Sequence, residues 1–235
     1  MKRDGLSLII PVYNEESILN GVIENLIQQL PGIIETFEII LVENGSSDQT
    51  LNIAEKLAEN NKFIVVFHLP SGDYGKALRT GIIHARYDFI ICDEIDICNT
   101  DFYPKAISLL MEYDMVIASK RHPHSKDNRP FIRRFATKTV NFLLRVLFNL
   151  KSTDTHGVKA FRKNKIIAIL HQCQLNKDLF ASELVIRSEQ QKLKILEIPI
   201  SLQEIRPPST HIFQRIPKTM LDLLKLFYFI RIKKI

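Results

Sequence analysis

The sequence contains neither of the glycine-rich motifs that most often bind phosphate groups. Gly-x-x-x-x-Gly-Lys-Ser/Thr and Gly-x-Gly-x-x-Gly are both absent from the 235 residues. A phosphorylated ligand would therefore be held by side chains or by a metal ion rather than by a glycine-rich loop. Cysteine is also scarce. Cys92, Cys98 and Cys173 are odd in number and lack metal-ligand spacing, which favours reduced thiols over a zinc site or a disulfide framework.

No apolar run in the sequence is long enough to act as a secretory signal or to cross a bilayer. The N-terminal run is short and passes directly into Tyr13-Asn-Glu-Glu16, and the C-terminal apolar segment is interrupted by Lys225 and Arg231. With 25% charged and 46% hydrophobic residues, the composition is typical of a globular domain. We therefore expect a cytoplasmic protein without a signal peptide.

Apolar runs alternate with helical patterns through the first half of the chain, and this alternation predicts an α/β fold. The apolar runs cover residues 6–10, 37–42, 63–67, 88–92 and 114–118. Strands and helices in this order form a mostly parallel, doubly wound sheet, in which ligands bind beyond the carboxyl ends of the strands. Tyr13, Glu43, the Gly75-Lys76 loop and Asp96 are predicted to lie on that one edge.

Three carboxylates, Asp93, Glu94 and Asp96, follow the fourth apolar run directly. Carboxylates crowded at a strand end raise each other's pKa unless a cation lies among them. Oxygen ligands without a nearby Cys or His cluster favour Mg²⁺ or Mn²⁺, which usually bridge protein carboxylates to the phosphates of a substrate. The pattern indicates a metal-dependent enzyme with a phosphorylated substrate. The alternative is an acidic loop that leads into a helix with Asp101 as its N-cap.

The loops after the first three apolar runs carry groups suited to a nucleotide. Tyr13 offers an aromatic face for a base, and Glu43 can accept hydrogen bonds from base and ribose donors. A structural alternative exists for each loop, since Asn44-Gly45 is also typical of a tight turn and Gly75 of an ordinary loop. Taken together with a metal ion, these loops predict a pocket for a nucleoside diphosphate.

The same motifs resemble those of the family 2 glycosyltransferases, which have the GT-A fold. The first half carries the resemblance at residues 9–16, 38–50, 75–81 and the acidic strand end. The second half is similar to the dolichol-phosphate mannosyltransferase branch at residues 131–141, 153–162, 197–199, 206–209 and Glu183. The members of that branch transfer a sugar from a nucleotide diphosphate to a polyprenyl phosphate.

The resemblance implies a Rossmann-like, mostly parallel sheet flanked by helices over residues 1–210, followed by an amphipathic helix over residues 211–235. It also implies metal-dependent, inverting transfer of a sugar to dolichyl or undecaprenyl phosphate. Two residues depart from the usual motifs. Glu94 stands in place of the first acid of Asp-x-Asp, and Asn44 in place of an acid in the base and ribose motif.

The resemblance assigns roles to individual residues. The implied substrate-binding residues are Pro11, Tyr13, Glu15, Val42, Glu43, Asn44, Lys76, Ile95, Lys120, Arg121 and Ser209. The implied metal ligands are Glu94 and Asp96, with Asp93 as an additional or substitute ligand. The candidate catalytic residues are Asp96 and Glu94 with the metal ion, Arg206 as a cation for the leaving diphosphate, Arg133 for a phosphate acceptor, and Asp154 as the base for a hydroxyl acceptor.

The chemistry of the acceptor distinguishes three functional hypotheses. A phosphate acceptor is already ionised and needs cations, which the sequence supplies after the fifth apolar run as Lys120, Arg121, Arg129, Arg133 and Arg134. A hydroxyl acceptor needs a general base, for which Asp154 is the candidate. The third hypothesis is a nucleotide-sugar binding module with weakened catalysis. We do not expect nucleic acid as a partner, because the basic residues are not interleaved with aromatic ones.

Residues 216–235 form an apolar segment with aromatic residues and a cationic end, which predicts an amphipathic helix lying on a membrane surface. The alternative is a helix packed on the domain or in a dimer. Residues 140–148 have a similar pattern, and the same two alternatives apply to them. The net charge of +6 fits an acidic partner such as anionic lipid. We expect peripheral binding to the cytoplasmic face of a membrane. A second copy of the chain and a separate membrane-spanning protein are left open as partners.

Overall fold

The computed structural model of the protein describes residues 5–127, 131–177, 179–202 and 212–233, with the backbone alone at residues 126–127, 131–133, 201–202 and 212–216. The strands are β1 (Leu6–Val12), β2 (Phe37–Glu43), β3 (Ile64–His68), β4 (Phe89–Cys92), β5 (Met115–Ser119), β6 (Lys126–Asp127), β7 (Lys159–Arg162), β8 (Ile195–Pro199) and β9 (Ser201–Leu202). The helices are α1 (Leu19–Gln29), α2 (Thr50–Asn60), α3 (Tyr74–His84), α4 (Phe102–Leu109), α5 (Phe131–Phe148), α6 (Lys163–Gln172), α7 (Phe180–Gln190) and α8 (Ile212–Phe227).

A seven-stranded sheet in the order β3-β2-β1-β4-β7-β5-β8 forms the centre of the fold. Every neighbouring pair is parallel except at β7, which runs antiparallel to both β4 and β5. A short parallel pair, β6 and β9, lies apart from this sheet. The mostly parallel α/β sheet predicted from the alternating apolar runs is therefore confirmed.

The central strands are buried on both faces, which explains their continuous apolar sequences. Successive residues of β1 alternate between two cores: Ile9 packs on the side of α3, α6 and α7, while Leu8 and Ile10 pack on the side of α1, α2 and α4. All seven residues of β2 are buried in the same alternating manner. Burying apolar side chains on both faces holds the sheet between its two helix layers.

The reversal at β7 brings a distant part of the chain to the ligand-binding edge of the sheet. Lys159, at the amino end of β7, pairs with Cys92 at the carboxyl end of β4 and with Ile117 of β5. Residues 153–158, which precede β7, therefore lie beside the loops that follow β4 and β5. These are the loops that hold the predicted metal ligands and the first of the predicted acceptor cations.

The C-terminal helix α8 packs on the domain along one of its faces. Leu223 and Leu226, together with Ile230 from the π-helical turn that follows (Tyr228–Ile232), are buried in the core next to Phe148 of α5. The Arg231 guanidinium also donates hydrogen bonds to the Leu147 carbonyl at 3.1 and 2.9 Å. The helix begins at Ile212, between the two starts expected from the sequence, residue 211 for the segment and residue 216 for the apolar pattern. Within the described residues, no helix is long and apolar enough to cross a membrane.

Candidate active site

The loops after β1 and β2 are joined by side chain to backbone hydrogen bonds. Asn14 adopts a positive φ of 55°, and its side-chain oxygen accepts a hydrogen bond from the Ser47 amide at 2.9 Å. The Ser46 hydroxyl in turn accepts one from the Asn14 amide at 3.0 Å, and the Thr50 hydroxyl accepts one from the Glu15 amide at 2.7 Å. These reciprocal bonds fix the two loops as one unit at the carboxyl edge of the sheet.

Glu43 ends β2, and its carboxylate is used to shape the turn that follows. One oxygen accepts a hydrogen bond from the Ser46 amide at 2.6 Å, and the other pairs with the His68 imidazole. Burial alone would raise the pKa of Glu43, but the hydrogen bonds from Ser46, His68 and the Gly45 amide outweigh it and lower the pKa. The ionised Glu43 carboxylate therefore fixes the loop after β2, the loop in which the sequence predicts nucleotide contacts.

Three loops meet around the Tyr13 ring, which is 51% exposed. Gly72 lies so close that a Cβ there would be 3.7 Å from the ring and 3.6 Å from the Asn44 carbonyl oxygen. The Asn44 side-chain oxygen accepts a hydrogen bond from the Asp73 amide at 2.8 Å, which joins the loop before α3 to the loop after β2. An exposed aromatic ring beside polar backbone groups is suited to stacking and hydrogen bonding with a base.

Several other residues predicted to bind the nucleotide have buried side chains. Pro11 and Val42 are register partners in the sheet, but the Val42 side chain is buried in the core. Ile95 is likewise buried in the core, so that only backbone atoms of Val42 and Ile95 can face a ligand. Glu15 is also buried, whereas Lys76 lies in the first turn of α3 with an exposed side chain.

Gly45 is expected to fix the shape of the loop after β2, where a nucleotide is predicted to bind. Its φ is +75°, and an added Cβ would lie 2.8 to 3.0 Å from the backbone of Ser71. We expect Gly45→Ala to displace the neighbouring loop and to weaken nucleoside diphosphate binding by about tenfold or more, measured by titration calorimetry. Gly21→Ala is the control, since an added Cβ there meets nothing within 4 Å. Equal affinities for the two variants would contradict this role.

Asp93 continues β4 and is held by protein donors on both of its oxygens. Its amide donates to the Ile9 carbonyl at 3.0 Å, and its carboxylate accepts from the Tyr103 hydroxyl and the Glu94 amide, each at 2.7 Å. Burial, together with the charges of Glu94 and Asp96, raises the pKa of Asp93 to about 7 despite these hydrogen bonds. Both oxygens of Asp93 are therefore engaged by protein donors. Glu94 and Asp96 are better candidates for metal ligands.

Glu94 and Asp96 are half-buried at the edge of the sheet. Their charge, added to the larger effect of burial, raises the pKa of the Tyr74 hydroxyl, which indicates an excess of negative charge around this loop. Among the residues that the structure describes, no three His, Cys, Asp or Glu side chains form a metal-binding group. Two carboxylates nevertheless fit Mg²⁺ or Mn²⁺, because such ions often take their other ligands from water and substrate phosphates.

The alternative explanation of the acidic loop as a helix cap finds little support in the contacts. Asp101 occupies the N-cap position of α4, but its side chain makes no capping hydrogen bond. The carboxylates of Glu94 and Asp96 precede this helix and do not cap it either. A capping role alone therefore leaves the acidic cluster unexplained.

Asp154 is buried between the loops that follow β5 and precede β7. Its two oxygens accept hydrogen bonds from the amides of Lys120 and His156, both at 2.9 Å, and its own amide donates to Glu197 at 2.8 Å. Burial would raise the pKa of Asp154, but the Lys120 charge and these amide donors outweigh it and lower the pKa. A carboxylate with a lowered pKa and two bonded oxygens is a weak general base.

An open groove of about 640 Å³ follows β5 and runs along α5. We call it the basic groove. Its lining residues are Lys120, Arg121, His122, Ser125, Arg134, Phe135, Thr137, Lys138, Thr139 and Phe142. The structure thus brings the predicted Lys120 and Arg121 together with cations of α5. The side chain of Arg133, in the first turn of α5, is not among those described, and Arg129, Arg206 and Ser209 lie outside the described residues.

Lys138 and the contacts of Glu183 were not identified from the sequence. Lys138 joins the basic groove because α5 places it one turn beyond Arg134. Glu183, noted only through the family resemblance, is fully buried and accepts hydrogen bonds from the amides of Gln174 and Leu175 at 3.0 and 2.7 Å. A helical period could have predicted Lys138, whereas the contacts of Glu183 depend on the tertiary fold.

Comparison with known proteins agrees with the motifs. A family model described as glycosyl transferase family 2 matches residues 7–170, which is more than half of the chain. A dolichyl-phosphate beta-glucosyltransferase (ALG5D) of Trichomonas vaginalis is 27% identical over 244 aligned residues, covering 97% of this chain and 74% of that protein. An undecaprenyl-phosphate 4-deoxy-4-formamido-L-arabinose transferase of Pectobacterium carotovorum is 31% identical over 174 residues, covering 71% of this chain and 51% of that protein. The chain thus spans about half the length of this bacterial relative.

Solved structures with the same fold include two sugar transferases. Glucosyl-3-phosphoglycerate synthase from Mycobacterium tuberculosis, crystallised with Mn²⁺ and uridine diphosphate, matches 95% of this chain and 78% of its own with a TM-score of 0.66 and 15% identity. Mannosyl-3-phosphoglycerate synthase from Rubrobacter xylanophilus matches 95% of this chain and 74% of its own with a TM-score of 0.67 and 12% identity. At these identities the likeness shows the fold, and the predicted GT-A fold is confirmed. Since the family model covers most of the sheet, the chain belongs to glycosyl transferase family 2.

Proposed function

We propose that the protein is a metal-dependent, inverting glycosyltransferase that moves a sugar from a nucleotide diphosphate to a polyprenyl phosphate. The observation that carries this proposal is the basic groove, in which Lys120, Arg121, Arg134 and Lys138 surround one open volume. An ionised phosphate monoester needs cations to hold it and no base to activate it. The names of the two curated relatives, both of which contain a polyprenyl phosphate, support the same acceptor.

The donor half of the proposal rests on the loops after β1, β2 and β4. The exposed face of Tyr13 would stack on the base, and Glu94 and Asp96 would hold Mg²⁺ or Mn²⁺, which supplies positive charge for the diphosphate. When bound, the ion neutralises the charge that develops on the leaving diphosphate. The acceptor oxygen attacks the anomeric carbon from the opposite side, and this single displacement inverts the configuration. Arg206, which lies outside the described residues, is proposed to assist the leaving group.

A hydroxyl acceptor is less well supported. Such an acceptor needs a general base, and Asp154 is the residue proposed for that role. Both of its oxygens accept backbone hydrogen bonds, from Lys120 and His156, and its pKa is lowered. Its contacts instead suit a positioning residue that fixes the backbone of Lys120 at the wall of the basic groove.

The proposal includes peripheral binding at the cytoplasmic face of a membrane. Large apolar side chains of α5, α8 and the π-helical turn after α8 remain exposed, although α5 and α8 pack against each other through their other faces. These side chains are Phe135, Phe142, Val146, Met220, Leu221, Leu224, Tyr228 and Ile232. Two of them, Phe135 and Phe142, also line the basic groove. A lipid chain can therefore lie along the exposed helix faces while its phosphate reaches the cations.

The function can be tested by measuring transfer directly. Purified protein is incubated with radiolabelled nucleotide sugars, Mn²⁺ or Mg²⁺, and a short polyprenyl phosphate, and the lipid fraction is extracted and counted. We expect label in the lipid fraction with at least one nucleotide sugar and its loss when the metal is chelated. The matching polyprenol, which carries a hydroxyl instead of a phosphate, should receive no label. Transfer to polyprenol at an equal rate would favour the hydroxyl acceptor.

We expect the exposed face of α8 to account for binding to anionic membranes. Deleting the whole helix would confuse this test, because Leu223 and Leu226 belong to the core. The double substitution Leu221→Glu and Leu224→Glu changes only exposed positions and should weaken binding to anionic liposomes by about tenfold or more, measured by co-sedimentation at low salt. Met111→Glu, at a residue 71% exposed outside both helices, is the control. Unchanged liposome binding in the double variant would exclude this face.

A further inference from the structure

Lys159 is a buried lysine at the centre of the sheet, next to the proposed metal ligands. It is 5% exposed and lies in β7, where it pairs with Cys92 of β4 on one side and Ile117 of β5 on the other. Its ammonium donates a hydrogen bond to the Gly157 carbonyl at 2.7 Å. Lysine is seldom buried without a charged partner, because removing an ammonium from water is unfavourable. Its position therefore calls for an explanation beyond packing.

The Lys159 side chain borders a small cavity that Glu94 also lines. The residues that line this cavity, of about 10 Å³, include Tyr74, Cys92, Glu94 and Lys159. Within the described part of the chain, no direct ion pair joins Lys159 to a carboxylate. Burial lowers the pKa of Lys159, while the charges of Asp154 and Glu94 act in the opposite direction and favour the ammonium form.

We propose that Lys159 is a positioning residue that keeps the affinity of Glu94 and Asp96 for a divalent ion low until the diphosphate of the donor is present. This inference rests on the metal use proposed above. Two carboxylates alone would attract a divalent cation strongly, and a fixed ammonium across a shared cavity opposes that attraction through a medium of low polarity. The diphosphate restores the missing negative charge. Metal ion and donor would therefore bind together rather than independently.

An electrostatic role and a structural role of Lys159 predict opposite changes in metal affinity when the side chain is replaced. If the side chain serves only to hold the Gly157 turn, its loss should loosen the site and weaken metal binding. The turn is tightly placed, since a Cβ on Gly157 would lie 2.1 Å from the Ala118 carbonyl oxygen. If the charge matters instead, neutralising Lys159 should strengthen the binding of the metal ion alone. The direction of the change therefore separates the two roles.

The test measures Mn²⁺ binding by electron paramagnetic resonance on the full chain, with and without UDP or GDP. We expect Lys159→Met to bind Mn²⁺ alone about tenfold more tightly than the original protein, and the gain from added diphosphate to shrink. Lys159→Gln is a second neutral variant that keeps a donor for the Gly157 carbonyl, and the same change is expected of it. Lys159→Arg keeps the charge and should leave the affinity within about twofold.

Lys163→Met is the matched control. Lys163 follows β7, and its ammonium also donates to backbone carbonyls, those of Ile83 and Ala85 at 2.8 and 2.6 Å, but it does not border the cavity. Its loss should leave Mn²⁺ affinity unchanged. Unchanged or weakened Mn²⁺ binding in folded Lys159→Met and Lys159→Gln would overturn this inference alone. Absence of Mn²⁺ binding in every variant, with and without diphosphate, would overturn the proposed metal use and the inference with it.

Discussion

Asp96→Ala should abolish sugar transfer, lowering kcat/KM by about a thousandfold or more. Asp96 lies at the sheet edge with a half-buried side chain, so its removal deletes a proposed metal ligand without opening a cavity in the core. The charge on the leaving diphosphate would then lack its main compensation. Initial rates with a polyprenyl phosphate, and stabilisation of the variant by a nucleoside diphosphate with and without Mn²⁺, measure the two parts of the effect. We expect the metal-dependent part of the stabilisation to disappear.

Two further variants define what the Asp96 result means. Glu94→Ala should reduce transfer nearly as much, since it removes the other proposed ligand. Asp101→Ala is the control, because Asp101 lies in the same acidic segment but makes no capping hydrogen bond. Its activity should stay within about twofold of the original. Normal turnover in both Asp96→Ala and Glu94→Ala would mean that the metal ion is bound elsewhere, for example at Asp93, or takes no part in the reaction.

The double substitution Arg121→Ala and Arg134→Ala should raise KM for the acceptor by about a hundredfold or more and leave donor affinity unchanged. Both arginines line the basic groove, and a charged hydrogen bond to phosphate contributes roughly 1.5 to 3 kcal/mol. Steady-state kinetics with a short, water-soluble prenyl phosphate separates the acceptor from the membrane. Arg133→Ala, which changes the neighbouring residue of α5, is predicted to act in the same direction.

Arg145→Ala provides the control for the basic groove. Arg145 is on α5 as well, but its guanidinium donates to the Lys151 carbonyl at 3.3 Å and does not line the groove. It should leave both KM values unchanged. The phosphate acceptor loses support if the double variant binds acceptor normally. A hydroxyl acceptor would be indicated if Asp154→Asn instead stops the reaction while both substrates still bind.

The strands of the first half could be predicted closely because their signal is local. Apolar runs at residues 88–92 and 114–118 correspond to β4 (Phe89–Cys92) and β5 (Met115–Ser119) within one residue at each end. The strand β7 has only four residues, and its antiparallel placement between β4 and β5 depends on pairing between distant parts of the chain. No local pattern reports such pairing. The local sequence therefore does not indicate that Lys159 lies beside the carboxyl end of β4.

The position of the site was easier to predict than the role of each side chain. The loops after β1, β2 and β4 lie on one edge, as the parallel sheet requires. The side chains of Val42 and Ile95, however, are buried in the core. The carboxylate oxygens of Glu43 and Asp93 accept hydrogen bonds from neighbouring protein groups. Strands buried on both faces give no polar alternation from which side-chain direction could be inferred. Whether a carboxylate accepts hydrogen bonds from other protein groups likewise depends on residues distant in sequence.

The ³¹P nuclear magnetic resonance spectrum of the reaction product is the most direct test of the proposed acceptor. The polyprenyl phosphate is incubated with the protein, the metal ion and the nucleotide sugar identified by the transfer assay, and the lipid product is isolated. If the acceptor phosphate is the nucleophile, its phosphomonoester signal should convert to a phosphodiester signal in proportion to the sugar transferred. Sugar in the lipid fraction with an unchanged phosphomonoester signal would show attachment to another group and would contradict the basic groove as an acceptor phosphate site.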